Sequence, residues 1–486
     1  MARRSWDLRY VPGKLAPWLR WSLFWRRLSP PVFFLASFVV LIALGTLGLM
    51  TIPGLQAGPE LGFVDSLFTV TSAVCVTGLV VTDTATHFTG LGQAWLLLFM
   101  QLGGIGLITL TTLLIGALGK RLSLRSEMLA VAPSRSHDRP EVWKVAAGVA
   151  KFSLMIELAG ITALFLLWLP RFPIGEAAWH AVFHGISAYC NAGFSTFSDS
   201  MIGFQDSPAV LVVISLLVIL GGLGYLTYEE LMRWWATVQA RRTGARIRFQ
   251  GARRLSSHTW AVLVVTTSLL IIGWVLFAVF EWSDTFGHLP VGDKLANAWF
   301  MSVTSRSAGF NTVDYGAIGN DSATLTMMLM FVGGSPGSMA GGIKTTTLAV
   351  LIALGMSRFR GRRFVGLKDR AIPQGTIERT IGIILLFMFV LIVSFFLVSA
   401  MQAAGLEAKH TRDQFLPIAF ETVSAFSTTG LSMNFTPELH APSKLVLIGL
   451  MFVGRVGLFS FFTAVILRRS APPSYVRPAQ EDVIVG

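Results

Sequence analysis

Four stretches of the chain share one pattern of residue types, and that pattern suits the binding of a cation by backbone carbonyl groups. In each stretch an aromatic residue lies ten residues before a glycine, which is followed by Phe or Leu; the glycines are Gly78, Gly193, Gly309 and Gly430. Glycine tolerates backbone dihedral angles that turn successive carbonyl groups to one side. A ring of carbonyl oxygens can replace the hydration shell of a potassium ion, whereas a multiply charged ion would call for carboxylates, which these stretches lack.

The four glycines recur at a nearly constant period, with spacings of 115, 116 and 121 residues. A fixed period of this kind indicates an internal repeat; four tight extracellular turns, the alternative, would not need matching residues before them. We therefore expect each glycine and the two residues before it to form an ion-selective filter. The expected filter residues are Val76, Thr77 and Gly78; Asn191, Ala192 and Gly193; Ser307, Ala308 and Gly309; and Thr428, Thr429 and Gly430.

A second glycine motif follows each filter stretch after 24 to 28 residues, within the next apolar segment. It begins with Gly-Gly at Gly103, Gly221 and Gly333, and with Gly-Arg at Gly454. Each repeat is therefore predicted to consist of a span, a half-immersed segment with a short pore helix, and a second span. Two spans per repeat preserve orientation, so the four repeats are parallel and can surround a central pore, unlike the inverted repeats of many transporters.

The composition is that of an all-α polytopic membrane protein. Of 486 residues, 53% are hydrophobic and 13% are charged, whereas soluble domains carry about 25% charged residues. A membrane-spanning helix needs about 20 mainly apolar residues, and eight segments qualify. They lie near Val32–Ile52, Leu91–Leu118, Val145–Leu169, Pro208–Tyr228, Thr259–Phe280, Ala323–Met356, Ile381–Ala404 and Leu445–Leu467.

Lysine and arginine are concentrated in alternate connections between these segments. The two termini and every second connection hold 30 of the 39 basic residues, and the other connections hold five. This positive-inside bias predicts a multi-pass protein of the inner (cytoplasmic) membrane with both termini in the cytoplasm, and it explains the net charge of +13 without nucleic-acid binding. The expected domains are a cytoplasmic segment 1–31, pore repeats 32–125, 140–240, 255–365 and 375–470, and a cytoplasmic tail 471–486.

The sixth apolar segment contains a run that cannot be a regular helix. Five of the ten residues from 333 to 342 are glycine, and Pro336 lies among them; both residue types disfavour helix interiors. We expect a flexible loop that obstructs the pore below the filter, with a static kink as the alternative, and a helix that resumes at Thr345. The run lacks the order and the preceding strand of a phosphate-binding loop, so no nucleotide site is expected on this chain.

Arg455 lies in an otherwise apolar segment, at the position where the other three repeats have glycine. A buried arginine in a span is costly. It is expected to face the pore axis as part of the gate, and a structural ion pair with a buried acid is the alternative. The expected gate residues are Gly333, Gly334, Gly337, Gly341, Gly342, Lys344 and Arg455.

Several polar residues near the filters have open interpretations. Asp83, Asp199 and Asp314 follow filter glycines by five or six residues; they are either acids that concentrate cations at the outer mouth or ordinary solvated loop residues. Glu421, within the fourth pore helix, either bonds the backbone of a neighbouring filter or pairs with a basic side chain. The residues three before each filter glycine are expected to point away from the axis; they are Cys75, Cys190, Arg306 and Ser427.

These motifs resemble those of the Trk/Ktr/HKT superfamily of potassium transporters, most of all its eight-span Ktr membrane subunits, over about residues 30–470. The resemblance implies a transporter rather than an enzyme: the pore-forming subunit of a gated potassium uptake system, with potassium selectivity from glycine in all four filters. It also implies a homodimer, embedded in membrane lipid, on a cytoplasmic nucleotide-binding regulatory ring (KtrA/TrkA-like). A potassium symporter of the same fold, coupled to sodium or protons, is the alternative.

Overall fold

The computed structural model describes residues 30–118, 142–243, 255–368, 370–403 and 408–457, and it is mostly helical. The N-terminal segment up to residue 29 and the predicted tail 471–486 lie outside the described residues. The longer helices are α1 (Pro30–Thr51), α4 (Gly90–Leu118), α5 (Val142–Trp168), α7 (Pro208–Leu223), α8 (Tyr225–Arg242), α9 (Ser257–Phe280), α12 (Thr345–Phe359), α13 (Gln374–Gln402) and α16 (Ala441–Val456).

The shorter elements lie between these helices. They are α2 (Phe63–Val74), α3 (Thr84–His87), α6 (Ile174–Cys190), the 3₁₀ turn Ile202–Phe204, α10 (Val291–Thr304), α11 (Asn320–Phe331), β1 (Gly366–Leu367), β2 (Arg370–Ala371), α14 (Ala408–Asp413), α15 (Phe415–Ser427) and the 3₁₀ turn Thr436–Glu438. The two strands form an antiparallel hairpin directly after α12.

Four helices of 12 to 17 residues, α2, α6, α10 and α15, end just before the four motif glycines. The first three carry Asp65, Glu176 and Asp293 in their first turns, where a carboxylate interacts favourably with the positive end of the helix dipole. The sequence prediction of a short helix before each glycine is therefore confirmed in all four places.

The four short helices pack in a closed cycle. Three of them contact a helix that follows the motif glycine of the preceding stretch: α6 contacts α4, α10 contacts α7, and α15 contacts α11. The cycle closes because α2 contacts α16, the last long helix in the described part of the chain. Lys444 on α16 donates to Asp65 on α2 at 2.8 Å across this closing contact. Of the aromatic residues ten before the glycines, Phe68, Phe183 and Phe420 are fully inaccessible, and Trp299 is partly buried.

Three helices in the described part of the chain are long and apolar enough to cross a membrane: Ala147–Trp168, Ser257–Phe280 and Gln374–Gln402. They coincide with the third, fifth and seventh predicted spans. The bent pair Pro208–Leu223 and Tyr225–Ala240 qualifies as a fourth if it counts as one span. The other four predicted spans, and the bounds of the predicted domains, stay predictions.

The fourth predicted span differs from a continuous helix. Its two halves meet at an angle of 99°, and the break lies at Gly224, whose φ is +79°. A Cβ atom on this residue would lie 2.7 Å from Ser335 Oγ and 2.8 Å from the carbonyl oxygen of Pro336. The bend therefore makes room for the glycine-rich loop of the sixth segment.

Candidate functional site

The four motif stretches adopt one backbone conformation. The residue two before each glycine has a positive φ: +54° at Val76, +59° at Asn191, +71° at Ser307 and +47° at Thr428. Left-handed backbone is uncommon outside glycine and exceptional for β-branched residues such as Val and Thr. The four glycines have positive φ values as well, from +73° to +92°. Strained backbone that recurs at four equivalent places is typical of a functional site.

The four stretches contact one another in a closed ring. A Cβ atom added to each glycine would collide with the backbone of the next stretch, and the fourth glycine would collide with the first stretch. The nearest carbonyl oxygens are that of Ala192 at 2.4 Å from Gly78, that of Ala308 at 2.8 Å from Gly193, that of Thr429 at 2.7 Å from Gly309, and that of Thr77 at 2.1 Å from Gly430. We call residues 76–78, 191–193, 307–309 and 428–430 the glycine ring.

Hydroxyl groups on the short helices hold the glycine ring in place through hydrogen bonds to its backbone and to the residues just after it. Ser72 Oγ accepts from the backbone N–H of Gly78 at 3.0 Å, and Ser424 Oγ accepts from that of Gly430 at 3.1 Å. In the other two stretches the hydroxyl donates to the carbonyl after the glycine, from Ser187 to Phe194 at 2.8 Å and from Thr304 to Phe310. Sequence reasoning missed these residues, although a serine six before the glycine recurs in three stretches.

We expect Ser72→Ala and Ser424→Ala each to lower the free energy of unfolding by about 1–3 kcal/mol, because each leaves a buried backbone N–H without an acceptor. The measurement is thermal unfolding of the purified protein in detergent. Thr324→Ala is the matched control, since this exposed hydroxyl on α11 only donates to the carbonyl of Asn320 in its own helix. Equal stability of Ser72→Ala and the control would contradict the anchoring role.

The acids after the glycines join neighbouring loops. Asp83 accepts from Ser198 Oγ at 2.6 Å and caps α3 through the N–H of Ala85. Asp314 accepts from Asn434 Nδ2 at 2.7 Å. Each contact ties the loop after one glycine to the loop after the next, while Asp199 is exposed. Two of the three acids therefore have structural contacts, and their effect on cations at the outer mouth stays a prediction.

Glu421 has neither of the roles that the sequence left open. It is fully buried in α15 and accepts from Ser432 Oγ, from the N–H of Met433 at 3.1 Å and from Thr436 Oγ1 at 2.6 Å. All three donors lie in the loop directly after Gly430. The carboxyl group therefore holds the loop of its own stretch, and among the described residues neither a basic side chain nor a neighbouring stretch bonds to it.

The residues three before the glycines are all buried, and their expected orientation away from the pore axis stays a prediction. Both cysteines are free. Cys190 Sγ lies 3.3 Å from Gln101 Oε1, and the same amide donates from Nε2 to both carboxyl oxygens of Glu157. Arg306 donates to the carbonyl oxygen of Gly333 at 2.9 Å, at the start of the glycine-rich loop.

The glycine-rich loop, residues 333–342, interrupts the sixth segment between α11 and α12. The helix resumes at Thr345, as predicted. The loop binds the broken fourth segment through N–H groups that donate to carbonyl oxygens, from Ser335 to Gly222 and from Met339 to Gly221, both at 3.0 Å. Lys344 Nζ donates to the carbonyl of Ala340 within the loop at 2.6 Å.

Ser307 connects the loop to the glycine ring. Its hydroxyl accepts from the N–H of Gly341 at 3.1 Å and donates to the carbonyl oxygen of Thr428 at 2.8 Å. A Cβ atom on Gly341 would lie 2.1 Å from Thr428 Oγ1, so only glycine fits this contact. The loop therefore lies directly against the ring.

Arg455 on α16 binds the glycine-rich loop through hydrogen bonds. Its side chain is 3% exposed, and its two terminal nitrogens donate to the carbonyl oxygen of Met339 in the loop and, at 3.2 Å, to that of Gly103 on α4. A guanidinium group offers five such donors. Within the described ranges no carboxylate pairs with it, so the structure does not support the structural ion pair considered from sequence.

The sequence from residue 14 to residue 473 matches the TrkH family of cation transport proteins. This chain belongs to that family. The expectation of a transporter rather than an enzyme is thereby confirmed, as is the resemblance drawn from the motifs.

Relatives within this family match the chain over most of its length. The potassium/sodium uptake protein NtpJ of Enterococcus hirae is 32% identical over 467 residues, which cover 95% of this chain and 98% of that protein. The Ktr system potassium uptake protein B of Bacillus subtilis is 33% identical over 443 residues, covering 90% and 93%. The crystal structure of the potassium transporter TrkH from Vibrio parahaemolyticus shares the fold, with a TM-score of 0.69 at 18% identity, over 89% of this chain and 84% of that one.

Proposed function

We propose that the protein takes up potassium across the cytoplasmic membrane as the pore-forming subunit of a gated transport system. The closed glycine ring is the observation that carries this proposal. Its four stretches have the same backbone conformation and meet in cyclic order, as four parallel repeats around a central pore require. In this arrangement all eight predicted segments are spans, two in each repeat.

The chemistry of the ring favours a monovalent cation. It carries no carboxylate, so its ligands are backbone carbonyl oxygens, which can replace the hydration shell of potassium. Of two relatives with more than 30% identity, one is named as a potassium uptake protein and the other as a potassium/sodium uptake protein. Potassium is therefore the transported ion in this proposal.

The glycine-rich loop and Arg455 form the gate. They bind each other next to the ring, so that a cation leaving it meets both a steric obstacle and a positive charge. By resemblance to Ktr systems, the protein works as a homodimer on a nucleotide-binding regulatory ring, and the basic connections place the termini in the cytoplasm. Nucleotide-driven movement of the regulatory ring would then pull on α12 and open the loop.

Expression in a bacterium that lacks potassium uptake tests the proposal. We expect growth on low potassium and uptake of rubidium as a tracer when the chain is produced together with a Ktr-type regulatory subunit. A variant with Gly78→Ala, whose Cβ atom would lie 2.4 Å from the ring carbonyl oxygen of Ala192, is the comparison, and we expect it to restore less growth on low potassium than the unaltered chain. Correct membrane insertion without growth or uptake, with several regulatory subunits, would contradict potassium transport.

A symporter of the same fold, coupled to sodium or protons, is the second candidate. The name of the Enterococcus relative, a potassium/sodium uptake protein, favours testing sodium first. Reversal potentials of the purified protein in liposomes distinguish the two mechanisms. A potential that follows the potassium gradient alone supports a channel, and a shift when a sodium or proton gradient is added supports coupling.

A further inference from the structure

A groove of about 450 Å³ lies between α9 and α12 and reaches the hairpin that follows α12. Its walls are apolar and about half exposed, with Val264 and Ile272 on α9 and Ile352 and Met356 on α12. Both helices belong to segments predicted to cross the membrane. In that setting the groove faces hydrocarbon, and its natural occupant is apolar.

The length of the groove matches one leaflet of a bilayer. Its lining on α9 runs from Trp260 to Ile272, and the twelve steps between these two residues rise about 18 Å at 1.5 Å each. Half of the hydrocarbon core of a bilayer is about 15 Å. Trp260 lies at the end next to the basic connections, at the depth where tryptophan is enriched in membrane proteins.

The same end of the groove carries positive charge. Arg360, Arg362 and Lys368 line it, and no acid does. Lys368 Nζ donates to the carbonyl of Leu255 at 3.3 Å, and within the described residues neither arginine side chain has a carboxylate partner. Basic groups between spanning helices on the cytoplasmic side suit a lipid phosphate, to which arginine donates bidentate hydrogen bonds.

We propose that this groove binds an anionic phospholipid, with an acyl chain between α9 and α12 and the phosphate at Arg360, Arg362 and Lys368. The inference rests on the proposed membrane orientation. It also gives the lipid a regulatory position, because α12 begins directly after the glycine-rich loop. An occupied groove holds α12 against α9 and restrains the movement of the loop.

Thermal unfolding of the purified full chain in a neutral detergent tests the site. We expect phosphatidylglycerol to raise the melting temperature saturably, and phosphatidylcholine to have little effect at the same concentration. Replacing both groove arginines, Arg360→Gln with Arg362→Gln, should weaken the apparent affinity for phosphatidylglycerol about tenfold, a change of about 1.4 kcal/mol. The matched control replaces the two neighbouring exposed arginines outside the groove, Arg358→Gln with Arg363→Gln, and should keep the wild-type affinity.

A second pair of variants tests the apolar part. Ser268→Phe fills the groove from an exposed position on α9, while Thr267→Phe adds the same ring to the adjacent exposed position outside it. We expect only Ser268→Phe to abolish the response to phosphatidylglycerol. Both substitutions lie on the surface, so both variants should fold.

Three results would overturn the proposal. An equal effect of inorganic phosphate and phosphatidylglycerol on the melting temperature would identify a free-anion site. The control arginine pair could lose the response equally, which would identify general surface charge. Ser268→Phe could convert a dimer to a monomer without any lipid effect, which would identify an interface between copies. None of these readouts depends on ion flux, so failure of potassium uptake and failure of lipid binding are distinguishable.

Discussion

Arg455→Ala raises potassium flux about tenfold and reduces its dependence on the regulatory subunit. A unit charge about 10 Å from a cation, at an effective dielectric constant of 20, repels it by about 1.7 kcal/mol, and about 1.4 kcal/mol corresponds to a tenfold rate. The substitution also removes the hydrogen bond that holds Met339 of the loop. Both effects act in the same direction, since they lower the barrier below the glycine ring. Flux is measured as tracer uptake into liposomes with and without the regulatory subunit.

Two further substitutions at Arg455 distinguish the effect of its charge on flux from the effect of its hydrogen bonds, which tether the loop. Arg455→Gln keeps a donor for the loop carbonyl but removes the charge, so a gain in flux with this variant identifies electrostatic repulsion. Arg455→Lys keeps the charge but replaces the two terminal nitrogens with a single ammonium group, which does not reproduce both bonds, so a gain in flux with this variant identifies the tether. Lys444→Ala, on the same helix but paired with Asp65 away from the loop, is the control and should leave flux unchanged. If Arg455→Ala lowered the yield of folded protein while flux per molecule stayed constant, the arginine would be structural.

Gly78→Ser lowers the preference for potassium over sodium about tenfold, which requires a change of only about 1.4 kcal/mol in the relative free energies of the two ions. The added Cβ atom would lie 2.4 Å from the carbonyl oxygen of Ala192, so that carbonyl must move. Residue 78 also has a φ of +92°, which side chains other than hydrogen rarely adopt. Both effects displace ligands of the ring.

The measurement is the permeability ratio from reversal potentials with potassium and sodium on opposite sides of a liposome membrane. Gly54→Ser is the matched control, because Gly54 has a similar φ of +81° but no neighbouring atom within 4 Å of a Cβ position. Gly430→Ser should act as strongly as Gly78→Ser, since its nearest carbonyl oxygen would be 2.1 Å away. An unchanged ratio in both ring variants would exclude these glycines from the filter.

The glycine-rich loop and the short helices could be predicted from the sequence because each depends on the residue types within one short stretch. Five glycines and Pro336 within ten residues disfavour a helix in the sixth segment, so the loop and the restart at Thr345 followed directly. The short helices were predictable from the recurring order of an aromatic residue, small polar residues and a glycine ten residues after the aromatic residue. The order of residue types within each stretch was enough.

The remaining features depend on contacts between distant parts of the chain. The bend at Gly224 exists because Ser335, more than a hundred residues later, bonds the carbonyl oxygen of Gly222. The role of Glu421 depends on how the loop after Gly430 folds back over α15. The hydrogen bond between Ser307 and Gly341 could not be predicted, because the sequence does not show which group a serine hydroxyl will contact.

The closing contact of the cycle has a consequence for synthesis. Lys444 and Asp65 are 379 positions apart, and α2 cannot reach its final neighbour until α16 has been made. At about 5–20 residues per second, ribosomes need roughly 20 to 75 s for that interval. During this time α2 lacks one of the helices that it contacts in the folded protein, so a nascent chain must remain protected by lipid or by the insertion machinery until α16 has been made.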